Sequence, residues 1–312
     1  MKDNKPDSVK SVSIVIPTYN EKNNLGGLIQ NIEQVLSSNK IDGELIIIDD
    51  NSPDGTGKLA DNFARKYGNI TVLHRARKEG VGSARKLGFS KAKKEIILSM
   101  EGDDTHNPDY IPVFLREIEG ADLVIGSRYL PGSKIINWPL KRRIVSKVAN
   151  FIARFFSGAK LTDVTSGFRA FRKGMYERLL IESYGYPFNM EFACEAASRG
   201  FKVKEIPIRF ANRKSGKSKL NVLKELYTFI YVAFKFSYTY KPITVFGGIG
   251  LVFSLIGFVL GIYLAYLKIT TGFIANRLPL LFLSALLIIA GIQMVSLGLV
   301  AGILTKLRKE KL

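Results

Sequence analysis

Two long stretches near the C-terminal end of this chain, residues 243–267 and 278–304, contain no charged side chain. Each exceeds the roughly 20 apolar residues that cover the hydrocarbon core of a bilayer. Backbone placed in hydrocarbon must satisfy its own hydrogen bonds, so such runs predict two membrane-spanning helices joined as a hairpin. Gly247, Gly248, Gly250, Gly257 and Gly261 on the first run, with Gly291, Gly298 and Gly302 on the second, allow close helix contact. Lys235 and Lys241 precede the pair, and Lys306, Arg308, Lys309 and Lys311 follow it. The connecting loop carries only Lys268 and Arg277. Basic flanks at both ends predict a multi-pass membrane protein with both termini cytoplasmic. The polar residues 1–7 lack the apolar run of a signal peptide, in agreement with that orientation.

Ahead of the hairpin the pattern changes. Residues 12–17 (VSIVIP) and 44–49 (ELIIID) are short β-branched runs of the buried parallel type. Residues 25–36 between them show helical spacing. Residues 70–73, 96–100 and 123–126 read as further strands, and 202–208 as an edge strand. Strands alternating with helices predict an α/β fold, a mainly parallel sheet flanked by helices. Cys194 is the only cysteine, which excludes an intrachain disulfide and a cysteine metal site and suits a small buried apolar residue.

The formal charge of +19 is unevenly spread. Residues 123–162 hold no Asp or Glu but eight basic residues, and residues 199–224 hold one acid, Glu205. Such surface suits nucleic acid, anionic lipid or phosphorylated substrate alike. Residues 141–156 form an amphipathic pattern, with Ile144, Val145, Val148, Phe151, Ile152 and Phe155 on one face and Arg143, Lys147 and Arg154 on the other. A surface helix packed on the core and a helix lying in the membrane interface both fit. Residues 220–240 are similar and end in the aromatic-rich FKFSYTY.

Four polar segments follow successive strands. Pro17-Thr18-Tyr19-Asn20-Glu21 leaves the first, and Asp49-Asp50-Asn51-Ser52-Pro53-Asp54-Gly55-Thr56 leaves the second. Residues 77–84, with the cations Arg77 and Lys78, the glycines Gly80 and Gly82 and their backbone N–H groups, suit a phosphate cradle. The acid turn Glu101-Gly102-Asp103-Asp104 closes the set. Carboxylates where a buried strand ends can hold a hard divalent cation, at the sheet edge where α/β domains bind ligands.

These segments resemble a known family, the polyprenyl-phosphate (dolichyl-phosphate) mannosyltransferases, inverting glycosyltransferases of the second family with a GT-A fold. The matching text is IVIPTYNE, IIIDDNSPDGT, the acid turn after ILSM, IGSRYLPGS, WPLKRR with Ser146 after it, TSGFRAFRK and RKSGKSKL, spread over residues 12–220. The resemblance implies a nucleotide-sugar donor held by Pro17, Tyr19, Glu21, Asp49 and Asp50, with Lys78, Glu101, Gly102 and Asp103 beside it and Arg213 and Lys219 folding over its phosphates. It implies Mg²⁺ or Mn²⁺ at Glu101, Asp103 and Thr105. Arg128, Arg142 and Ser146 match positions that hold the acceptor lipid phosphate, and with Asp103 they make the implied catalytic set. The implied division is a tail over 1–10, a GT-A catalytic domain over 11–218 including the interface helix 141–156, and a juxtamembrane helix over 219–241. The hairpin 242–305 and a basic tail 306–312 complete it.

One departure stands out. The family usually reads Asp-Ala-Asp where this chain has Glu101-Gly102-Asp103, and Gln or Ser where it has Thr105. Glutamate reaches about 1–1.5 Å further and glycine loosens the turn, so contact through water competes with direct ligation by Glu101. The acceptor phosphate is largely ionised near neutrality, its second pKa being about 6, so no general base is assigned. Glu191 is a second-tier pocket candidate. His74 and His106 have no obvious chemical role, although His106 stands near the turn.

The leading expectation is mannose transfer from GDP-mannose to a polyprenyl phosphate at the bilayer. The rival keeps fold and acceptor but uses UDP-glucose or another nucleotide sugar. A processive polysaccharide synthase needs an acceptor motif that the surroundings of Trp138 lack. A nucleic-acid binder lacks any accompanying motif. A metal-dead membrane scaffold requires that the altered turn has lost its cation.

Overall fold

The computed structural model describes residues 11–137, 139–157, 160–185, 187–211, 231, 242–272 and 277–310, except the side chains at 141, 142, 145, 152, 153, 155–157, 306 and 308–310. The chain divides into two compact units, Met1–Ile230 and Tyr231–Leu312.

The first unit starts with β1 (Ser11–Thr18), whose alternating valines and isoleucines are buried on both faces, as a central parallel strand requires. Helix α1 (Lys22–Ser38) covers one face, seating Leu25, Leu28, Ile29 and Ile32 against Ile14, Ile16, Leu45 and Ile47. There follow β2 (Asp42–Asp49), α2 (Thr56–Lys66), β3 (Ile70–His74), α3 (Val81–Lys91), β4 (Ile96–Ser99), α4 (Ile111–Glu117) and β5 (Leu123–Ser127). β6 (Lys134–Ile136), α5 (Leu140–Ser157), β7 (Arg169–Arg172), α6 (Lys173–Glu177), α7 (Phe188–Ser198), β8 (Val203–Pro207) and β9 (Arg209–Ala211) complete the unit.

Seven strands form one sheet in the order β3-β2-β1-β4-β7-β5-β8. The pairings Thr18↔Asp49 and Val15↔Ser99 are parallel and align the C-terminal ends of β1, β2 and β4 along one edge. The chain winds one way through β2 and β3, then returns to β4 on the other side of β1. That reversal is where open α/β sheets bind ligands. Every strand expected from the apolar runs is present, with β8 at the edge.

Three strands were not expected. β7 reads Arg-Ala-Phe-Arg, too short and too charged to stand out, and it runs antiparallel between β4 and β5. Its first residue, Arg169, lies opposite Ser99 and Ile125, which brings the start of β7 to the same edge. β6 and β9 make a separate parallel pair, also unforeseen.

Helix α5 buries Ala149 and Asn150, while Ile144, Val148 and Phe151 face outward, Phe151 with 63% of its surface exposed. These three residues of the apolar stripe therefore do not pack on the core. A third, more polar face does, and the basic residues flank the stripe.

In the second unit, α8 (Pro242–Thr271) and α9 (Leu278–Glu310) are both long and apolar enough to cross a bilayer. Only 17% and 11% of their most apolar windows are buried, the reverse of a soluble core helix. α9 runs past the apolar span to Glu310. The helices touch through small residues: a Cβ on Gly257 would stand 2.8 Å from Ser284 O, and Ser284 Oγ donates to Gly257 O at 2.7 Å. The helix expected over 219–241 falls outside the described residues apart from Tyr231.

Candidate functional site

At the end of β1, Thr18 Oγ1 donates to Ile48 O and Asp49 Oδ1, both at 3.3 Å. Asp49 also accepts from Ser52 Oγ at 2.5 Å and Ser52 N at 3.0 Å, so its buried carboxylate closes the loop after β2. Asp50 meets Arg75 Nη1 at 2.7 Å, with both side chains nearly buried. Burial raises the Asp50 carboxyl above its ordinary range, and the Arg75 guanidinium offsets only part of that. Arg75 Nη2 reaches Glu79 and Ser83 at 2.6 Å, tying β3 to the start of α3. Lys78 Nζ sits 4.2 Å from the centre of the Tyr19 ring, a cation–π contact between two of the expected donor residues. Glu21 Oε2 accepts from Asn24 Nδ2 at 2.9 Å in the first turn of α1.

Pro17, Tyr19, Glu21, Asp49, Asp50 and Lys78 thus gather at one sheet edge. The glycines of the expected cradle do something else. A Cβ at Gly80 would lie 2.6 Å from Tyr184 O, and one at Gly82 would lie 2.8 Å from the same atom. Ser83 N donates to that carbonyl at 3.1 Å. These small residues let α3 dock on the 184–185 backbone.

The acid turn follows β4. A Cβ at Gly102 would come within 2.9 Å of Thr18 Cγ2, so glycine here is required by the approach of β1 rather than simply loosening the turn. Asp104 takes a left-handed φ of 59°, which reverses the chain and lets Thr105 Oγ1 donate to Asp103 Oδ1 at 2.6 Å. Asp103 is 9% exposed. Glu101 N donates to His106 Nδ1 at 3.1 Å, and the His106 ring stacks on Phe168 with centroids 4.6 Å apart. Burial pushes the His106 pKa down to about 3, more than Glu101 nearby can offset, so the imidazole is neutral and acts as an acceptor.

Two buried arginines stand behind this turn: Arg169 closes the TSGFR string, whereas nothing in the sequence singled out Arg85. Arg85, 1% exposed, donates from Nε to Ser99 Oγ and from Nη1 to Asn189 Oδ1, both at 3.1 Å, and pairs through Nη2 with Glu101 Oε1. Arg169 donates from Nη1 to Asn189 O at 3.0 Å and from Nη2 to Ser166 O. Burial first, then repulsion from Arg85, lowers its pKa to about 9. Glu191, the second-tier pocket candidate, accepts from Glu182 N at 3.1 Å and Ser183 N at 2.7 Å, holding a loop.

On the far side, Arg128 forks onto Asp163, with Nε to Oδ2 at 2.7 Å and Nη2 to Oδ1 at 2.8 Å. Nη2 also reaches Thr165 Oγ1 at 2.7 Å and Ser146 Oγ at 3.4 Å. Asp163 is fully buried; burial works to raise its pKa, yet Arg128 outweighs that and holds it below the usual carboxylate range. Arg128 and Ser146 are therefore neighbours, as their motif positions implied, but the Arg128 charge already has a partner that the sequence did not disclose. The side chain of Arg142, and all of Arg213 and Lys219, lie outside the described residues.

Among the described residues no three His, Cys, Asp or Glu side chains group as a metal cage. A Mg²⁺-type ion does not need one, since it binds through one or two carboxylates plus substrate phosphates. Asp103, oriented by Thr105 at the strand edge, fits that demand.

Comparison with known proteins agrees with this geometry. The profile described as Glycosyl transferase family 2 matches residues 13–180. The polyprenol monophosphomannose synthase of Mycolicibacterium smegmatis is 37% identical over 216 residues, 67% of this chain and 80% of its own. An undecaprenyl-phosphate mannosyltransferase of Micrococcus luteus is 36% identical over 216 residues, 67% of this chain and 87% of its own. Among solved structures, glucosyl-3-phosphoglycerate synthase from Mycobacterium tuberculosis, crystallised with Mn²⁺, uridine diphosphate and phosphoglyceric acid, superposes with a TM-score of 0.56. It is 18% identical, and the match covers 72% of this chain and 77% of that one. At that identity the likeness concerns the fold alone, which is GT-A-like.

Proposed function

This chain belongs to glycosyltransferase family 2, and we propose that within it the protein moves mannose from GDP-mannose to the phosphate of a polyprenyl lipid, with inversion at the anomeric carbon. The observation that carries this reading is the 37% identity to a polyprenol monophosphomannose synthase across two thirds of the chain. Two apolar helices in the same chain suit a lipid acceptor.

The donor's place is the edge formed by Pro17, Tyr19, Glu21, Asp49, Asp50 and Lys78. Asp103, steadied by Thr105, is the residue that would hold Mg²⁺ or Mn²⁺ against the donor diphosphate. When bound, such an ion neutralises charge growing on the leaving nucleoside diphosphate. Arg213 and Lys219 are assigned to the donor phosphates from their motif alone. The acceptor phosphate is a ready nucleophile, so the protein has to align two anions rather than remove a proton. Ser146 and Arg142 on α5 take that phosphate. Arg128, paired with Asp163, orients Ser146 and adds a screened positive field.

The outward stripe of Ile144, Val148 and Phe151, flanked by Arg143 and Lys147, supports α5 as a helix in the membrane interface. Both termini and the catalytic unit lie on the cytoplasmic side. Protease access to residues 268–279 from the cytoplasmic face alone would contradict that orientation.

The test is transfer of labelled mannose from GDP-mannose into an organic-extractable lipid by the full chain in detergent. Asp103→Ala is expected to lower transfer at least about 100-fold, by the loss of the charge stabilisation at the leaving group. Transfer unchanged by Asp103→Ala would remove Asp103 from the reaction.

A further inference from the structure

Glu101 and Asp103, two of the three acids of the turn, are held in entirely different ways. Asp103 is oriented by a hydroxyl, Thr105 Oγ1 at 2.6 Å. Glu101 is held by a guanidinium that has almost no surface of its own. Arg85 is 1% exposed, and its Nε and Nη1 donate to Ser99 Oγ and Asn189 Oδ1. Held inside the unit by those two bonds, it does not follow Glu101 outward.

Two further contacts hold Glu101 in place. Its backbone N–H is taken by His106 Nδ1 at 3.1 Å. On the other side Gly167 presses in: a Cβ there would stand 2.6 Å from Arg85 Nη2 and closer still to Glu101 Oε1. The glycine of the TSGFR segment leaves just enough room for this ion pair. Glu101 Oε1 is the atom that meets Arg85.

We infer that Glu101, its side chain still 30% exposed, is the counter-ion of the buried Arg85 rather than a metal ligand, and that Asp103 is the sole acidic side chain of the turn that holds the divalent ion. The inference rests on the reading of the edge as a nucleotide-sugar site. Arg85 then anchors Glu101 to the interior and has no part in holding the ion. Removing a carboxylate that ligates weakens metal binding. Removing one that only pairs with a buried arginine leaves metal binding alone and strands the arginine, which destabilises the fold.

Mn²⁺ binding by the full chain in detergent, read by electron paramagnetic resonance with saturating GDP and separately with UDP, distinguishes these cases. Glu101→Gln is expected to keep the Mn²⁺ Kd within about threefold of the parent while Tm falls by several degrees. Asp103→Asn is expected to weaken Mn²⁺ at least tenfold at little cost in Tm. The double variant Arg85→Gln/Glu101→Gln, which removes both charges together, should recover part of the lost Tm and still bind Mn²⁺. It also serves as the test if Glu101→Gln alone does not fold. Mn²⁺ binding weakened tenfold or more in Glu101→Gln or in the double variant overturns the inference. A parent chain that responds to UDP and not GDP contradicts the donor proposed above, and the same comparison of variants is then read in UDP. A parent that binds Mn²⁺ with neither nucleotide overturns both.

Discussion

Gly167 in the α/β unit and Gly291 in the apolar hairpin are equally crowded, but by opposite kinds of neighbour. Against Gly167 press two ionised side chains, Glu101 and Arg85. Against Gly291 press an uncharged hydroxyl and backbone: a Cβ there would meet Ser254 Oγ first, then Gly250 O at 2.6 Å and Ser254 N at 2.8 Å. In the α/β unit, buried charges demand partners, and a small residue makes room for the pair. In the hairpin, lipid is as apolar as leucine, so close backbone approach and a few polar contacts hold the helices together. Substitutions in the first unit should therefore register as electrostatics, and in the second as packing.

The sharpest break of this contrast lies at Asp163. Asp163→Asn leaves Arg128 without its buried counter-charge, and unfolding of the detergent-solubilised chain in urea should show a loss of about 3–5 kcal/mol. A loss below about 1 kcal/mol would mean that the pair is not structural. Next is Gly291→Leu, where overpacking against Gly250 should cost about 2 kcal/mol in hairpin stability, independent of salt and pH. An effect that changed with pH would undo the distinction.

His106 sharpens the comparison through pH. Its folded pKa of about 3 lies below the ordinary 6.5, so the unfolded chain takes up the proton first. Stability is then complete above pH 6.5 and falls as pH drops towards 3. Between pH 6 and pH 5 the loss should be about 1 kcal/mol, and His106→Gln should flatten that slope in a Tm series. The smallest effect is expected at Ser284, whose Oγ donates to Gly257 O across the hairpin. Ser284→Ala should cost about 0.6 kcal/mol, readable in the unfolding of the detergent-solubilised chain.

These contrasts also explain what the sequence disclosed. β1, β2 and α1 were legible because burial imposes a period on apolar residues, and the two spans because hydrocarbon excludes charge. β7 was hidden: Arg169 and Arg172 interrupt any apolar pattern, and the strand exists because Ala170 and Phe171 fill a slot between β4 and β5. The gathering of Tyr19, Lys78 and the Asp49–Asp50 pair at one edge followed from the order of strands. The partners of Glu101 and Arg128 did not. Arg85 lies 16 residues from Glu101, and Asp163 lies 35 from Arg128, and no local periodicity links them. An arginine is expected on the surface, so only packing could disclose that Arg85 and Arg169 are interior. The same holds for α5, where the apolar stripe was plain but its outward direction depended on Ser146, Ala149 and Asn150 facing Arg128 and Asp163.

The central claim is the transfer of mannose to a lipid phosphate, and a nucleotide-sugar panel tests it most directly. The full chain in detergent is given polyprenyl phosphate, Mg²⁺ or Mn²⁺, and GDP-mannose, UDP-glucose or other nucleotide sugars in turn, with lipid products read by mass spectrometry. The account predicts a mannosyl-phospho-lipid from GDP-mannose, absent when the metal is chelated. A lipid product from UDP-glucose alone would contradict the donor, and no lipid-linked sugar from any donor would contradict the account as a whole.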